Sequence, residues 1–284
     1  MNVAVLGCGY VGCELARELL ADGHEVVGVR RSSEGLRAVK KTGADAVRAD
    51  VTDGDSLSSI PDANVLVYAV SADGRDSAAA RTAYVEGLRT ALDHFAARES
   101  SPERVVYTSS TGVYGDRDGA RVDESTPLEP RTEREEILAD AEEIVRAERG
   151  WDWTITRFSG LYGPDRYRLE RYLEGPVSDR YLNLLHRDDA AGTIRYLLDT
   201  GRGRNEVVLV SDDEPVRKPT LADWLADECG VSHPPREPAT SERARASKRC
   251  SNEKLRELGY ELRYPTYREG YRGAIESFRD SQNV

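Results

Sequence analysis

The sequence predicts an α/β fold in which a doubly wound parallel sheet carries a small α/β cap toward the C-terminal end. Short β-branched runs alternate with amphipathic helical patterns through the first 160 residues. Most of these runs are almost continuously apolar, which is typical of parallel strands covered by helices on both faces. The alternation stops after Phe158, where Tyr, Arg, Gly and Pro become frequent.

The first part of the chain supplies most of the predicted sheet. Strands are predicted over residues 3–6, 25–30, 46–48, 65–69, 105–109 and 154–158. Gly23 and Gly150 follow helical patterns as C-terminal caps. The helices between these strands are predicted to begin near Val11, Ser33, Asp53, Arg75 and Glu133.

The second part of the chain is less regular. Residues 160–185 show no clear period, and a helix over 188–199 and a strand over 206–210 follow. Thr220 is predicted to cap a helix that ends at Gly230, and two further helices are predicted near 251–258 and 267–279. We therefore expect a dinucleotide-binding domain over 1–160, with 182–204 packing back onto it. The cap comprises 161–181 and 205–284.

Composition excludes several classes of protein. The net charge of −11 argues against nucleic-acid binding, and no apolar stretch approaches the roughly 18 to 20 residues of a membrane span. The N-terminal segment reads as a strand and lacks the features of a signal peptide, so we expect a cytoplasmic protein. The four Cys and four His lack the spacing of a metal site. Five Lys against 35 Arg, with abundant acid, indicates adaptation to high salt, or alternatively a GC-rich coding sequence.

A glycine-rich turn lies between the first strand and the first helix. In Gly7-x-Gly9-x-x-Gly12, the first glycine permits the tight turn, the second permits close approach of a phosphate, and the third permits packing of helix on strand. The enclosed Tyr10 and Val11 place the start of the helix, with its free N–H groups, at the pyrophosphate. The pattern predicts a Rossmann-type site for a nicotinamide dinucleotide.

The end of the second strand favours NADP over NAD. An NAD site usually carries a carboxylate there, whereas this chain has Arg30, Arg31 and Ser32, which suit a 2′-phosphate. Positions at the ends of later strands fit the same ligand or simple packing of strand ends. These positions are Asp50, Val51, Ala69, Val70 and Ser109.

The chain resembles the extended short-chain dehydrogenases/reductases, the NAD-dependent epimerase/dehydratase group. The resemblance covers nearly the whole length and rests on an ordered series of motifs. These are the glycine turn, Arg48-Ala49-Asp50-Val51, the segment 84–88, the segment 106–115, the segment 157–164 and the segment 183–190. It implies hydride transfer assisted by a Ser or Thr, a Tyr and a Lys.

The Tyr-x-x-x-Lys pair of that family does not map onto this chain. Ser110 matches the hydroxyl position, but alignment of Ala141-Glu142 with the family pattern puts Arg134 at the tyrosine position and Leu138 at the lysine position. Arginine stays protonated, so Arg134 can polarise a carbonyl or hold an anion but not shuttle a proton. The resemblance is therefore to an atypical subgroup, with Ser110 and Arg134 as the catalytic candidates.

Other polar residues have weaker claims to the site. Tyr114, Tyr162 and His186 fit packing or structural roles better than catalysis. Three further arginines, at positions 166, 168 and 171, fit either solvent exposure or an anion in the cleft.

Two classes of function follow from these residues. One is an NADP-dependent oxidoreductase or epimerase acting on a small carbonyl or alcohol substrate. The other is an NADP(H)-binding sensor without turnover, favoured by loss of the Tyr/Lys pair. A structural protein with a vestigial cofactor fold forms a third class. The resemblance also suggests a homodimer through the helices near 75–98 and 133–149.

Overall fold

The computed structural model describes residues 1–74, 76–147 and 149–282, and only the backbone of residues 242 and 243. Its strands are β1 (Asn2–Leu6), β2 (Glu25–Arg30), β3 (Asp45–Arg48), β4 (Val65–Tyr68), β5 (Arg104–Ser110), β6 (Arg121–Val122), β7 (Asp152–Phe158), β8 (Gly160–Tyr162), β9 (Tyr181–Leu182), β10 (Leu184–His186), β11 (Glu206–Val210), β12 (Val216–Arg217) and β13 (Arg249–Cys250).

The helices are α1 (Tyr10–Ala21), α2 (Ser33–Lys40), α3 (Gly54–Leu57), α4 (Ser77–Arg81), α5 (Gly87–Ala96), α6 (Glu133–Arg146), α7 (Leu169–Leu173), α8 (Arg187–Thr200), α9 (Lys218–Cys229), α10 (Glu242–Arg245), α11 (Glu253–Glu257) and α12 (Tyr267–Gln282). One π-turn, Thr82–Glu86, joins α4 to α5, and a 3₁₀ turn, Thr111–Tyr114, follows β5.

A seven-stranded sheet in the order β11-β7-β5-β4-β1-β2-β3 confirms the predicted fold class. Strand β1 pairs in parallel with β2 on one side and β4 on the other. The strand order reverses at that point, and the carboxyl ends of β1 and β4 therefore flank the crevice where doubly wound sheets bind ligands.

The chain divides into two units. Unit 1 comprises residues 1–113, 128–157 and 190–208, and unit 2 comprises 114–127, 158–189 and 209–284. This division differs from the expected one because 114–127 belongs to unit 2, where β6 pairs with β13. Residues 182–189 also belong to unit 2, since β10 pairs with β8 and β9 with β12.

Each unit has its own apolar core. In unit 1, β4 is buried along its whole length, and the hydroxyl of Tyr68 donates to the carbonyl of Ala83 at 2.5 Å. In unit 2, α9 and α12 pack through Leu221, Leu225 and Tyr271. A buried hydroxyl needs a hydrogen-bond partner. In the core of unit 1, the carbonyl of Ala83 is that partner for Tyr68.

Several predicted elements are confirmed to the residue, and others need correction. Strands β2 and β11 have the predicted bounds, and Gly230 ends α9 in the left-handed conformation. Thr220 does not cap α9, because the helix already begins at Lys218 with Pro219 in its first turn, where the fixed φ of proline suits a helix start. The short helix α10 was not predicted.

The predicted cap at Gly150 is also wrong. Helix α6 ends at Arg146, because Ala147 leaves the helix with ψ 132°. The guanidinium of Arg149 donates to the carbonyl of Ile144 at 2.6 Å and satisfies the helix end in place of a glycine. The helix start predicted at Arg75 falls outside the described residues, and α4 is capped by Asp76, whose side chain accepts from the N–H of Ala79.

Candidate functional site

The glycine turn packs closely against the end of β4. Gly7 has φ +76°, and a Cβ at this position would lie 2.5 Å from the Cα of Val70. Both the conformation and the space therefore require glycine. Gly12 faces β1, and a Cβ there would lie 3.1 Å from a methyl group of Val5. These contacts fit the roles predicted for the two glycines, which are the tight turn at Gly7 and the packing of helix on strand at Gly12.

The first turn of α1 has no side-chain cap. Gly9 is the N-cap residue, and the turn contains no acidic side chain that would compete with an anion. The twelve-residue helix therefore presents N–H groups and the positive end of its dipole at the mouth of the turn. This arrangement can hold a pyrophosphate, with Tyr10 and Val11 in the turn that binds it.

A cavity of about 690 Å³ lies at the carboxyl ends of β1–β4. The predicted cofactor residues that line it are Gly7, Arg30, Arg31, Ser32, Asp50, Val51 and Val70. The additional lining residues are Val29, Ala49, Thr52, Ser71, Asp73, Ala79, Thr82 and Ala83. The lining does not include Gly9, Tyr10, Val11, Gly12, Ala69 or Ser109. The volume of the cavity suits the adenosine half of a dinucleotide.

Arg31 is engaged by two carboxylates at the rim of this cavity. Its guanidinium donates to Asp50 at 3.3 Å and also to Asp73. Burial raises the pKa of Asp50, but hydrogen bonds from Thr52 and Arg31 outweigh it, and the net effect lowers that pKa. Two anions therefore offset the charge of Arg31, which leaves it a weaker attraction for a phosphate than the sequence suggested.

Arg30 and Arg48 remain available for an anion. The side chain of Arg30 passes over Gly9 and Gly35, with Nη1 3.0 Å from the position a Cβ of Gly9 would take. Arg48 donates to the carbonyl of Arg31 at 2.5 Å and to the hydroxyl of Ser33 at 2.8 Å. In the part of the chain that the structure describes, neither guanidinium has a carboxylate partner. Sequence reasoning missed Arg48, although its place at the end of β3 was a usable signal.

Ser110 ends β5 beside the aligned lysine position. Its hydroxyl accepts from the N–H of Gly112 at 3.0 Å. A Cβ on Gly112 would lie 3.2 Å from that hydroxyl and 3.3 Å from Cδ1 of Leu138. The two side chains thus approach the same small residue, and the aligned lysine position carries a buried apolar group.

Arg134 lies one turn before Leu138 on α6. Positions i and i+4 share a helix face, and the side chain is half-buried. Among the described residues it has no hydrogen bond or ion pair.

A buried ionic network follows on the same helix. Glu142 is fully buried and accepts from Ser109 at 2.8 Å, from Arg157 at 2.9 and 2.6 Å, and from Arg146 at 2.8 Å. Burial raises its pKa, but the bonds from Arg157 and Ser109 and the charge of Arg146 lower it by more. The Ser109 hydroxyl is therefore occupied by its hydrogen bond to Glu142, and this bond helps to position α6 against β5 and β7. The sequence singled out neither Glu142 nor Arg157 for this role.

The remaining candidates lie in unit 2. Tyr162 stacks on Tyr271 with ring centroids 4.8 Å apart, and burial raises its pKa. His186 packs 3.8 Å from the ring of Tyr264, and burial lowers its pKa to about 4. The hydroxyl of Tyr114 donates to the carbonyl of Asp123 at 2.7 Å. These groups hold unit 2 together, and the shifted pKa values of Tyr162 and His186 keep both side chains uncharged near neutral pH. Arg166 is half-buried, and Arg168 and Arg171 are exposed.

Within the described ranges, no helix is long and apolar enough to cross a membrane. The same residues contain no group of three or more His, Cys, Asp or Glu side chains placed to hold a metal ion.

Comparison with known proteins identifies the family. The model of the NAD-dependent epimerase/dehydratase family matches residues 3–212. Protein YeeZ of Escherichia coli is 30% identical over 275 residues, which is 93% of this chain and 96% of YeeZ. A structure from Methylobacillus flagellatus, assigned to the NAD-dependent epimerases/dehydratases, is 34% identical with a TM-score of 0.81 and covers 100% and 99% of the two chains.

A more distant structure shares the fold. A short-chain dehydrogenase/reductase superfamily protein from Agrobacterium tumefaciens, solved with bound NAD, has a TM-score of 0.83 at 20% identity, covering 99% and 98% of the two chains.

Glu142 provides a test of the buried network. Replacement by Gln leaves Arg157 buried without its counter-charge, and we expect the free energy of unfolding at pH 7 to fall by about 3 kcal/mol. Because the folded-state pKa is lowered, the carboxylate stabilises fully above the unfolded value of about 4.3 and loses this effect as the pH falls through the folded pKa. Denaturation in urea at pH 7 and at acid pH measures both effects.

The matched control is Glu143→Gln, because that neighbour is 75% exposed and pairs with the same Arg146. We expect a change within about 0.5 kcal/mol for the control. Equal effects of the two variants would show that the buried network does not stabilise α6.

Proposed function

Given that this chain belongs to the NAD-dependent epimerase/dehydratase family, we propose that it binds NADP(H) and reduces, oxidises or epimerises a small carbonyl or alcohol substrate. The observation that carries the proposal is the Gly7 turn, which lines the cavity at the carboxyl ends of β1–β4 and leads into the uncapped start of α1. A cofactor bound there supplies the hydride.

The choice of NADP rests on the charges at the end of β2 and β3. Arg30 and Arg48 have no carboxylate partner in the described residues, and Ser32 and Ser33 add hydroxyls beside them. No acidic residue stands at the end of β2, where an NAD site usually grips the ribose. Asp50 and Asp73 oppose the 2′-phosphate, and Arg31 offsets only one of these two negative charges, so Arg30 and Arg48 would supply the attraction. NAD remains the alternative cofactor.

Replacement Arg48→Gln tests this assignment. We expect the Kd for NADPH to rise about tenfold, because a charge-assisted hydrogen bond to the 2′-phosphate is lost, and the Kd for NADH to stay unchanged. Fluorescence titration measures both constants.

The control for Arg48→Gln is Arg37→Gln, on the exposed side of α2, which should alter neither constant. Tighter binding of NADH than of NADPH by the native protein would contradict the proposal.

Ser110 and Arg134 are proposed to act on the substrate. The Ser110 hydroxyl orients the substrate oxygen, and the Arg134 guanidinium stabilises negative charge that develops on it. The cofactor, held by the Gly7 turn with Arg30 and Arg48, would supply or accept a hydride, and the Ser110 and Arg134 side chains would act on the substrate oxygen that gains or loses charge. Arg134 keeps its proton and Leu138 has none to give, so the proton on the product oxygen comes from water. The reverse reaction follows the same steps backwards.

Arg134→Ala tests the electrostatic role. We expect kcat to fall about 100-fold, as when a donor to a developing oxyanion is removed, with the Kd for NADPH unchanged. Arg131→Ala is the matched control, because Arg131 precedes the same helix and is 71% exposed. Equal turnover in the native protein and Arg134→Ala would show that Arg134 takes no part in the reaction.

A second function, an NADP(H)-binding sensor without turnover, is favoured by the apolar Leu138 beside Ser110. The sensor binds NADPH but oxidises none of it across a panel of carbonyl compounds in high salt. A vestigial fold with a purely structural role binds no NADPH at all.

The proposal also covers the location of the protein, its salt adaptation and its oligomeric state. We propose a cytoplasmic, salt-adapted protein that acts on a small molecule rather than on nucleic acid or membrane. The proposed homodimer forms through the helices of 77–96 and 133–146, by analogy with the family. Light scattering across a range of salt concentrations measures its mass.

A further inference from the structure

Two cysteines, Cys8 and Cys13, flank the part of the glycine turn that leads into α1. Each of them directly follows a glycine of the motif, at positions 7 and 12. Cys8 is fully buried, whereas Cys13 is half-buried in the first turn of the helix. The proposed function uses neither thiol, although the segment between them, residues 9–12, is the one assigned to the pyrophosphate.

The side chains of the two cysteines approach each other. The Sγ of Cys13 donates to the carbonyl oxygen of Cys8 at 3.4 Å, and the two thiols also share a hydrogen bond. The Sγ of Cys8 lies 3.6 Å from the position that a Cβ of Gly12 would take, so it is directed toward the start of the helix. A disulfide requires Cβ atoms about 3.5–4.5 Å apart with side chains that point together, and these contacts bring the two sulfurs within reach of one.

Burial and charge give the two thiols different reactivity. The hydrogen bond with Cys13 and burial raise the pKa of the Cys8 thiol, and the positive charges of Arg30 and Arg17 offset this rise only in part. Cys13 is the more accessible of the two. The positive end of the α1 dipole lies beside it, which favours attack of its thiolate on a disulfide. Cys13 is therefore the sulfur that reacts first.

We propose that Cys8 and Cys13 form a reversible disulfide by exchange with a low-molecular-weight disulfide, and that this bond weakens binding of the cofactor at the turn. The Cys13 thiol loses its proton to solvent, and the thiolate attacks one sulfur of the small disulfide, which releases a first thiolate that solvent protonates. Cys8 then attacks the Cys13 sulfur of the mixed disulfide, and its proton passes to the second leaving thiolate. The small disulfide gains two electrons and becomes two thiols, and the protein loses two hydrogen atoms.

The first step prepares the second. The hydrogen bond with Cys13 is the largest cause of the raised pKa of Cys8, and it needs the Cys13 sulfur in its unmodified form. Once that sulfur has entered the mixed disulfide, burial is the main remaining obstacle to ionisation of Cys8. Disulfides in reducing compartments are usually transient and redox-sensing, which fits a bond that exchange can form and break.

The disulfide closes a ring around the segment that is proposed to hold the pyrophosphate. This segment is already closely packed, since a Cβ on Gly12 would lie 3.1 Å from a methyl group of Val5 and one on Gly9 3.0 Å from a guanidinium nitrogen. Covalent linkage of positions 8 and 13 shifts the first turn of α1 from the arrangement in which the N–H of Cys13 donates to Gly9 at 2.8 Å. The effect on the cofactor rests on the proposed function, whereas formation of the disulfide does not.

The first experiment detects the bond itself. The native protein is incubated in glutathione buffers of increasing oxidised fraction, the remaining thiols are blocked, and the chain is cut after Arg17, which leaves both cysteines in the peptide 1–17. We expect this peptide to lose two hydrogen atoms under conditions in which Cys229 and Cys250 are still recovered as blocked thiols. A peptide that carries glutathione without the internal bond, or two blocked thiols throughout, overturns the proposal.

The second experiment measures the coupling to the cofactor. We expect the Kd for NADPH, measured by fluorescence titration, to rise at least about tenfold on oxidation and to return with dithiothreitol. By reciprocity, saturating NADPH should raise the reduction potential of the pair, by about 30 mV for a tenfold coupling. An unchanged Kd in protein whose peptide 1–17 is fully oxidised overturns the proposed control of binding.

Cysteine variants separate the disulfide from a general effect of the oxidant. Cys13→Ser and Cys8→Ala should form no internal bond, and each should bind NADPH equally before and after treatment. Cys229→Ser, in unit 2, is the matched control and should be oxidised and lose affinity as the native protein does. Loss of affinity on oxidation of Cys13→Ser would overturn the proposal. If the reduced native protein does not bind NADPH, the proposed cofactor is refuted, while the mass of peptide 1–17 still decides whether the disulfide forms.

Discussion

The site in unit 1 depends on the close approach of Gly7 to the backbone of Val70. A side chain at position 7 would overlap the backbone of Ala69 and Val70, which directly follow β4, so the turn can pass from β1 to α1 only with glycine there. Parallel pairing of β1 with both β2 and β4 then brings the carboxyl ends of the strands together. The Gly7 turn lines the resulting cavity and leads into α1, whose first turn has no side-chain cap, and this geometry is the basis for the proposed binding of an anion.

Charge placement distinguishes the arginines proposed to bind a ligand from the many structural ones. Arg31 is neutralised by Asp50 and Asp73, and Arg157 by the buried Glu142. By contrast, Arg30, Arg48 and Arg134 have no carboxylate partner in the described parts of the chain. Because acids outnumber bases in the sequence, we propose that a ligand supplies the negative charge beside these three arginines.

Local patterns in the sequence were sufficient for the fold and for part of the site. Strand β2, strand β11 and the Gly7 turn follow from runs of neighbouring residues, so they could be predicted. The pairing of Arg31 with Asp73 and the burial of Glu142 bring together residues from different strands and helices. No short sequence window contains such contacts. Thr220 was misplaced because Ser and Thr are strong cap signals, whereas the proline before it had already started the helix.

The most direct test of the central claim is a crystal structure of the protein with NADPH. We predict that the pyrophosphate lies on the N–H groups of the first turn of α1, with the 2′-phosphate within hydrogen-bonding distance of Arg30 or Arg48. An adenosine 2′-phosphate placed away from both arginines, or a pyrophosphate bound elsewhere in the chain, would contradict the account.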